Sequence, residues 1–159
     1  MTMAGRRPHP ADRQRGFTLI ELMVTLTVLV IMLGIGVPSF KNFLATQRVK
    51  STAFDMAAAL LMARSEAVKR NTVITIAPVG GTDWTTGWTV KDSATTLMQQ
   101  AATSGLTITA NEDSLIYRGT GRVGATTSFE VASTTNADAK RCVKVDLTGL
   151  PTTTTGACS

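Results

Sequence analysis

The residue whose position most needs a chemical explanation is Glu21, a carboxylate inside the longest apolar run of the sequence. It is the only charged residue among the 21 residues from Phe17 to Val37. A carboxylate in the hydrocarbon part of a membrane helix costs about 3 kcal/mol on insertion scales, so such a residue normally has a partner or a function. If the chain is cut between Gly16 and Phe17, the new α-ammonium of Phe17 lies one helical turn from Glu21. Within one chain or between neighbouring copies, the two opposite charges then offset each other's desolvation, which gives a mechanism for docking one copy against another.

The other titratable and nucleophilic residues do not form the set that an enzyme needs. His9 is the only histidine in the sequence, and it lies in the short basic segment that such a cut removes. Without an imidazole, a Ser-His-Asp or Cys-His arrangement and a histidine metal site are excluded. The two cysteines, Cys142 and Cys158, both lie near the C-terminus, and no C-x-x-C motif is present. The sequence therefore predicts no enzyme, no cofactor and no metal centre.

The positive charge is concentrated at the N-terminus. The chain of 159 residues carries a formal net charge of +5 and has a pI of 9.7. Four arginines and Asp12 give the first 16 residues a net charge of +3, which leaves +2 for the remaining 143. The high pI is therefore only a weak indication of nucleic-acid binding by the folded part. Because 43% of the residues are apolar, a disordered chain is excluded.

The apolar run has the length of a membrane span. At 1.5 Å of rise per residue, a helix over residues 17–37 is about 30 Å long, which matches one hydrocarbon core. The arginines before it predict a cytoplasmic N-terminus, with the rest of the chain across the membrane. A secretory signal has a shorter apolar core and a small-residue cleavage site after it, and neither is present here. An ordinary signal anchor remains an alternative, although it does not require Glu21.

The segment RGFTLIELMVTLTVLVIMLGIGVP (15–38) resembles the class III signal of type IV pilins and type II secretion pseudopilins. The family pattern is a basic leader, a glycine, a phenylalanine, T-L-I-E and a long apolar run. The resemblance implies cleavage after Gly16 by a prepilin peptidase, N-methylation of Phe17 and a role for Glu21 in assembly. It implies three parts: a cleaved leader over 1–16, a transmembrane and assembly helix over 17–38, and a periplasmic pilin-like domain over 39–159.

Pro38 ends the apolar run. Proline disfavours helical geometry at the preceding residue and removes one helix hydrogen bond. Gly34 and Gly36 add backbone freedom just before it. In pilins, a proline at this distance from Phe17 resembles the point where the helix bends or melts in a filament, and a plain kink is the alternative.

The segment 39–71 contains neither glycine nor proline and is predicted to be a long amphipathic helix whose apolar stripe packs on a sheet. Lys69 and Arg70 favour the negative end of the helix dipole, and Asn71 is the expected C-cap. The stripe recurs at alternating spacings of four and three: Val49, Ala53, Met56, Leu60, Ala63 and Ala67. Phe54, Ala57, Leu61 and Val68 are predicted to widen it.

A second motif narrows the resemblance. The segment LLMARSEAVKRN (60–71), followed by Trp84 and then Gly87-Trp88, is similar to the GspH/FimT group. This group comprises minor pilins of the type IV pilus and the minor pseudopilin H of type II secretion. The resemblance covers residues 14 to about 90, and little beyond residue 92 aligns.

The C-terminal half is rich in Thr, Val, Gly and Ser, and its short alternating runs predict half-buried antiparallel strands. The predicted fold is α+β and pilin-like, with a long N-terminal α-helix packed on an antiparallel β-sheet. Trp84 and Trp88 are expected in the core, and a ligand-stacking pair is the alternative. The predicted strands are 72–77, 87–92, 106–109, 114–119, 129–133 and 141–147, with turn signals at Pro78, Gly80-Gly81, Gly105, Gly119 to Gly124, Asn136 and Gly149.

Cys142 and Cys158 are predicted to form a disulfide, because their segment lies outside the cytoplasmic membrane in an oxidising compartment. In the chain-entropy model a loop of this length is stabilised by about 3 kcal/mol. The disulfide fastens the Thr-rich C-terminus to the predicted strand 141–147. Pilins often carry such a C-terminal disulfide loop, and a free thiol pair is the alternative.

Some members of the family act as DNA receptors and resemble each other in a C-terminal G-R-x-R stretch. Here Gly149 is present, but Leu150 and Thr152 stand where the arginines are needed. Phosphate binding needs clustered cations, and strand alternation sends Lys144 and Asp146 to one face, which weakens a positive patch. Solvated surface charge is therefore the preferred interpretation. The candidate DNA contacts that remain are Arg118, Arg122, Lys140, Arg141 and Lys144.

Three functions follow from the resemblance. The preferred one is a minor pilin that joins the initiation or tip complex of a type IV pilus and helps to prime its assembly. The alternatives are the minor pseudopilin H of the periplasmic type II secretion pseudopilus and a pilus-associated DNA receptor. The implied partners are other minor pilins and the major pilin (or pseudopilins), a prepilin peptidase/N-methyltransferase and an inner-membrane assembly platform. The implied location is a single-pass inner-membrane protein with a periplasmic domain, and later the pilus at the cell surface.

Overall fold

The computed structural model describes residues 16–93 and 95–159. Residues 1–15 of the predicted leader, with the four arginines and His9, lie outside the described residues. The chain divides into two compact units, of which the first ends at Pro38 and the second comprises Ser39–Ser159. One α-helix and eight β-strands make up the described secondary structure. The helix α1 runs over Leu19–Arg70, and the strands are β1 Ile74–Gly80, β2 Asp83–Asp92, β3 Thr95–Gln100, β4 Leu106–Ala110, β5 Leu115–Tyr117, β6 Thr127–Ser133, β7 Lys140–Val145 and β8 Pro151–Thr155.

The strands form two antiparallel four-stranded sheets, with the orders β3-β2-β1-β5 and β4-β6-β7-β8. Both sheets and the helical part of the second unit contribute side chains to one hydrophobic core. The predicted fold class, a long helix packed on antiparallel β-structure, is confirmed, with the strands divided between two sheets.

The predicted apolar stripe of the second unit forms the core face of α1. All six of its main positions are buried, from Val49 to Ala67. The predicted widening of the stripe is wrong for three residues, because Phe54, Leu61 and Val68 are each about half exposed. Each of them follows a buried residue by one position, and one residue turns a helix by about 100°. The sheets therefore cover one face of the helix and leave the adjacent apolar face open.

The helix ends in a Schellman motif at the predicted C-cap. Asn71 has a φ of 50°, which places it in the left-handed region. The amide of Thr72 donates to the carbonyl of Ala67 at 3.2 Å, and the amide of Asn71 donates to that of Val68 at 3.3 Å. These two bonds satisfy carbonyls that the last turn otherwise leaves without partners. The predicted role of Asn71 is confirmed.

The sequence analysis missed two strands, β3 and β8, and two residues that it placed in turns, Pro78 and Gly80, lie in β1. Neither β3 nor β8 alternates apolar and polar residues clearly, and each pairs with one neighbour at the edge of its sheet. Pro78 lies inside β1, opposite Trp88 of β2. On its other side β1 pairs with β5 only from Ile74 to Ile76, so the missing amide hydrogen of Pro78 breaks no ladder bond there.

The two tryptophans are core residues, as preferred, and they do not form a ligand-stacking pair. Both side chains are fully buried. The ring of Trp84 packs edge-to-face on Phe129 with centroids 4.8 Å apart, and its Nε1 donates to the carbonyl of Glu112 at 3.1 Å. Between them, Gly87 has a φ of 93°, and a Cβ there would lie 2.2 Å from the carbonyl oxygen of Gln100. The W-x-x-G-W spacing is therefore explained by the packing of both tryptophans in the core and by the close approach of the Gly87 and Gln100 backbones.

Candidate functional site

The helix α1 begins at an N-cap residue, Thr18, three positions before Glu21. The backbone amide of Glu21 donates to Oγ1 of Thr18 at 3.3 Å. A threonine at the N-cap followed three residues later by a glutamate is the sequence pattern of a capping box, and of the two hydrogen bonds of that motif the structure shows the one that Thr18 accepts. A negative charge in this turn also interacts favourably with the helix dipole. The sequence analysis missed this role, although T-x-x-E before an apolar run is its signal.

The predicted cleavage site lies beside this cap. Gly16, Phe17, Thr18 and Glu21 line one shallow surface depression. The side chain of Phe17 is 82% exposed. No atom of the described residues lies within 4 Å of the position that a Cβ on Gly16 would occupy, and the φ of Gly16 is not in the left-handed region. The fold described here therefore does not require a glycine at position 16.

The first part of α1 presents its apolar side chains on all sides. Large apolar residues from Leu19 to Val37 are each about half exposed or more, and an 18-residue window has a mean hydropathy of 2.4 with none of it buried. By length and composition this is the helix of the described residues that could cross a membrane. Such a surface needs a lipid environment or other helices around it.

Glu21 is the polar side chain of this segment that lacks a hydrogen-bond partner among the described residues. The hydroxyl of Thr25 donates to the carbonyl of Leu22 at 2.9 Å, and that of Thr27 donates to the carbonyl of Met23 at 2.8 Å. Both threonines are thus satisfied within the helix. An apolar surface with one unpaired carboxylate at its beginning is suited to receive a cation, and it has no feature of a catalytic site.

Pro38 lies inside α1, and the helix continues through it. Proline has no amide hydrogen, so the carbonyl of Gly34 receives no bond from the residue four positions later. In the part of the chain that the structure describes, no side chain packs within 4 Å of the Cβ position at Gly34 or Gly36. The bend or melting of the helix at Pro38 stays a prediction for which this weakened turn is the physical basis.

The predicted disulfide between Cys142 and Cys158 is present, with the two Cα atoms 5.0 Å apart. It closes the C-terminus onto β7, beside the edge strand β8. Glu130 on the neighbouring strand β6 strengthens this closure. Its Oε2 accepts the amide hydrogen of Cys158 at 3.2 Å, while its Oε1 lies 3.2 Å from Nζ of Lys140.

The structure does not gather the predicted cations into one patch. Arg141 stands opposite Val131, on the core side of the second sheet, whereas Lys140 and Lys144 lie on its outer side. Lys140 is paired with Glu130, and Nζ of Lys144 donates to the carbonyl oxygen of Ser159 at 3.4 Å. The remaining two cations, Arg118 and Arg122, lie in the exposed turn after β5, where the amide of the first donates to the carbonyl of the second at 3.0 Å.

Gly149, the one residue shared with the G-R-x-R pattern, has a packing role. Its φ is 80°, and a Cβ there would lie 2.1 Å from the carbonyl oxygen of Gly121. The buried hydroxyl of Tyr117 donates to the carbonyl of Gly149 at 3.2 Å, and burial raises the pKa of this phenol. This glycine is therefore explained without a nucleic-acid ligand.

Two protein families match the chain. The family described as "Type II transport protein GspH" matches residues 52–149, and the "Prokaryotic N-terminal methylation motif" matches residues 12–37. The first match covers more than half of the chain and includes the last third of α1 and the strands β1 to β7. The second includes Gly16, Phe17 and Glu21.

Similar proteins agree with these families. A fimbrial protein of Pseudomonas aeruginosa is 26% identical over 103 residues, which are 65% of this chain and 64% of that protein. The prepilin peptidase-dependent protein D of Escherichia coli strain K12 is 54% identical over 33 residues, which are 21% of this chain and 23% of that protein. The match thus spans a little under two thirds of the fimbrial protein and about a quarter of the second relative.

Two solved structures share the fold. The type IV minor pilin FimU of Pseudomonas aeruginosa PAO1 superposes with a TM-score of 0.59 at 23% identity, over 66% of this chain and 91% of that one. The minor pseudopilin EpsH from the type 2 secretion system of Vibrio cholerae gives 0.54 at 14% identity, over 68% and 97%. The fold of this chain is thus shared by a pilus subunit and a secretion subunit.

Proposed function

Because the chain belongs to the GspH family, we propose that it is a minor pilin of a type IV pilus, a structural subunit that joins the initiation or tip complex and helps to prime assembly. Its relatives are pilin and pseudopilin subunits, and it is a structural protein of this kind rather than an enzyme. One observation carries the proposal. The helix α1 has an unpaired carboxylate, Glu21, in its first turn and continues as an exposed apolar surface, none of which is buried. A helix with such a surface is stable in lipid and also packs against similar helices in a bundle.

The proposed processing step is cleavage between Gly16 and Phe17 by a prepilin peptidase, followed by N-methylation of Phe17. Two observations support it: the methylation motif matches this segment, and the fold has no need of its own for a glycine at position 16. Cleavage creates an α-ammonium beside the Glu21 carboxylate, and methylation of an amine keeps its positive charge. The carboxylate then pairs with the ammonium of its own chain or of a neighbour, and this pairing offsets the desolvation of both groups.

The proposed partners are other minor pilins and the major pilin, the peptidase/N-methyltransferase and an inner-membrane assembly platform. Before assembly the protein is proposed to be a single-pass inner-membrane protein with Ser39–Ser159 in the periplasm, and afterwards part of the pilus at the cell surface. The basic segment before Gly16 supports a cytoplasmic N-terminus.

The second candidate is the minor pseudopilin H of type II secretion, which the likeness to EpsH favours. The C-terminal disulfide and the likeness to a fimbrial protein favour the pilus. Deleting the gene separates the two: loss of pili with normal secretion of exported proteins supports the pilin, and the reverse supports the pseudopilin. No observation favours a DNA receptor, since the candidate cations are separated and two of them already have partners.

The experiment compares processing and incorporation in the native host. Gly16→Leu leaves the fold intact, because the Cβ position is open, and we expect it to block processing, seen as slower gel migration than the mature protein. Glu21→Gln and Glu21→Ala are expected to remain in the membrane, to be processed and to be depleted from sheared pili. Asp55→Asn is the matched control, since Asp55 is an exposed carboxylate on the same helix without an ion pair among the described residues. Normal recovery of both Glu21 variants in sheared pili contradicts the docking role.

A further inference from the structure

A cationic cleft lies in the second unit, between the first turns of its helical part and two loops. It has a volume of about 240 Å³ and is lined by Lys41 and Arg48 of α1 together with Gly105, Ser133 and Thr135. A single water needs about 10–15 Å³ of such space, so the cleft admits several waters. The cleft is thus large enough for a phosphate group and its substituents.

The charged groups of the cleft are all positive. Lys41 and Arg48 are seven residues apart, which is two helical turns, so both side chains extend from the same face of α1. Neither forms an ion pair within the part of the chain that the structure describes, and no carboxylate is among the lining residues. Two unpaired cations that flank one cavity attract an anion into it.

Among the neutral polar groups of the cleft, one hydroxyl hydrogen is free to donate to a ligand, and no strong acceptor is free. Oγ of Ser133 accepts the amide hydrogens of Thr135 at 3.2 Å and Asn136 at 3.3 Å. With both lone pairs used, it donates its own hydrogen to Oγ1 of Thr135, 3.2 Å away, and the hydroxyl hydrogen of Thr135 is then free for a ligand. The carbonyl of Gly105 is also occupied, because it accepts both the amide and the hydroxyl of Thr134, at 3.2 and 3.1 Å.

We propose that this cleft, which we call the Lys41–Arg48 cleft, binds the phosphodiester of an anionic phospholipid headgroup. An ammonium, a guanidinium and one free hydroxyl hydrogen are the donors that a phosphate oxygen accepts. The lipid source follows from position in the chain: Lys41 comes only four residues after Val37, the end of the membrane-length apolar run. In a helix, four residues rise by about 6 Å, which places Lys41 within the depth of the headgroup layer, whereas Arg48 lies about 16 Å along the helix and reaches towards that layer only through its long side chain. The lipid assignment rests on the proposed membrane anchoring of the unassembled subunit.

The test counts lipids on the full chain. The protein is extracted from nanodiscs of equal parts phosphatidylglycerol and phosphatidylcholine into mild detergent, and native mass spectrometry measures the lipids that stay bound. We expect the wild type to retain phosphatidylglycerol selectively. The variant Lys41→Ala/Arg48→Ala is expected to lose this retention by about thirtyfold, a factor of about five for each basic residue near an anionic surface. The control Lys50→Ala/Arg118→Ala removes the same two kinds of exposed cation outside the cleft and is expected to keep it.

Three outcomes overturn the inference. Equal retention of phosphatidylglycerol by the two double variants means that the cleft is not the lipid site. The anion that the cleft binds is then a carboxylate of a neighbouring subunit. Stabilisation by inorganic phosphate in detergent, without selective lipid retention, means that the source is free phosphate. No selective retention by the wild type, together with normal recovery in sheared pili, refutes the lipid site while the proposed function stands. Selective retention of phosphatidylglycerol by the wild type, together with absence of the protein from sheared pili, refutes the proposed function and leaves the lipid site standing.

Discussion

Removing the C-terminal disulfide is expected to destabilise the second unit by about 3 kcal/mol. The cysteines are 16 positions apart. In the chain-entropy model, a closed loop of this length lowers the entropy of the unfolded chain by about 10 cal/mol/K, which is about 3 kcal/mol at 25 °C. The variant is Cys142→Ala/Cys158→Ala, in which both sulfurs are removed so that no reactive thiol remains. Urea unfolding of the full chain in detergent measures the change, and with a slope of about 1–3 kcal/mol/M the midpoint falls by about 1–3 M.

The structure also predicts where the effect is concentrated. The strand β8 pairs only with β7, and the disulfide and Glu130 hold the segment that follows it. Hydrogen exchange of β8 amides is therefore expected to accelerate more than that of β6 amides, which lie between two strands. Wild-type protein treated with a reductant is expected to match the double variant, and Glu130→Gln, which keeps the disulfide, is expected to show a much smaller change. An unchanged urea midpoint together with unchanged protection of β8 contradicts this reasoning.

Two further predictions concern single side chains of the second unit. Oγ1 of Thr127 is buried without a partner among the described residues, so Thr127→Val is expected to raise the free energy of unfolding by about 1–2 kcal/mol in urea titrations, and a decrease contradicts this. Asp146 accepts hydrogen bonds from the hydroxyl and amide of Thr148, which lower the pKa of its carboxyl below 3.8. The ionised carboxylate therefore stabilises the fold at neutral pH, and this stabilisation is lost as the pH falls through the pKa that the group has in the folded protein. Asp146→Asn is expected to make the free energy of unfolding fall less steeply between neutral and acid pH, and an unchanged acid dependence contradicts this.

The helix and its core face were predictable because their signal is local and periodic. The buried positions of α1 follow the helical repeat, and the polar cap at Asn71 follows from backbone geometry. Which apolar face is covered was not predictable from periodicity. Ala53 and Phe54 are both apolar and adjacent, yet the sheets cover only the first. That choice depends on the width of the β-structure, which is a tertiary property.

The edge strands and the cations show the same limit. In β8 the run of threonines has no apolar alternation, and its strand conformation depends on pairing with β7. The separation of Arg141 from Lys140 and Lys144 does follow from strand alternation, and it could have been predicted once β7 was placed. The ion pair of Lys140 with Glu130 required the register between two strands that are separate in sequence. Long-range register is set by the whole sheet, so a single sequence does not reveal it.

The N-cap at Thr18 changes how the membrane carboxylate of Glu21 is understood. In lipid, every backbone amide needs a partner, and the first turn of a helix has amides without intrahelical acceptors. Thr18 supplies one such acceptor, to the amide of Glu21, while the Glu21 carboxylate has no partner among the described residues. The T-x-x-E pattern gives this carboxylate a second candidate role, as the acceptor for the amide of Thr18 in a capping box. The two proposed roles of Glu21 then separate experimentally. A glutamine keeps an oxygen acceptor for the cap but loses the charge, whereas an alanine loses both. If the ion pair with the ammonium of Phe17 drives docking, the two variants are depleted from pili alike, and if capping is what matters, Glu21→Gln is recovered and Glu21→Ala is not.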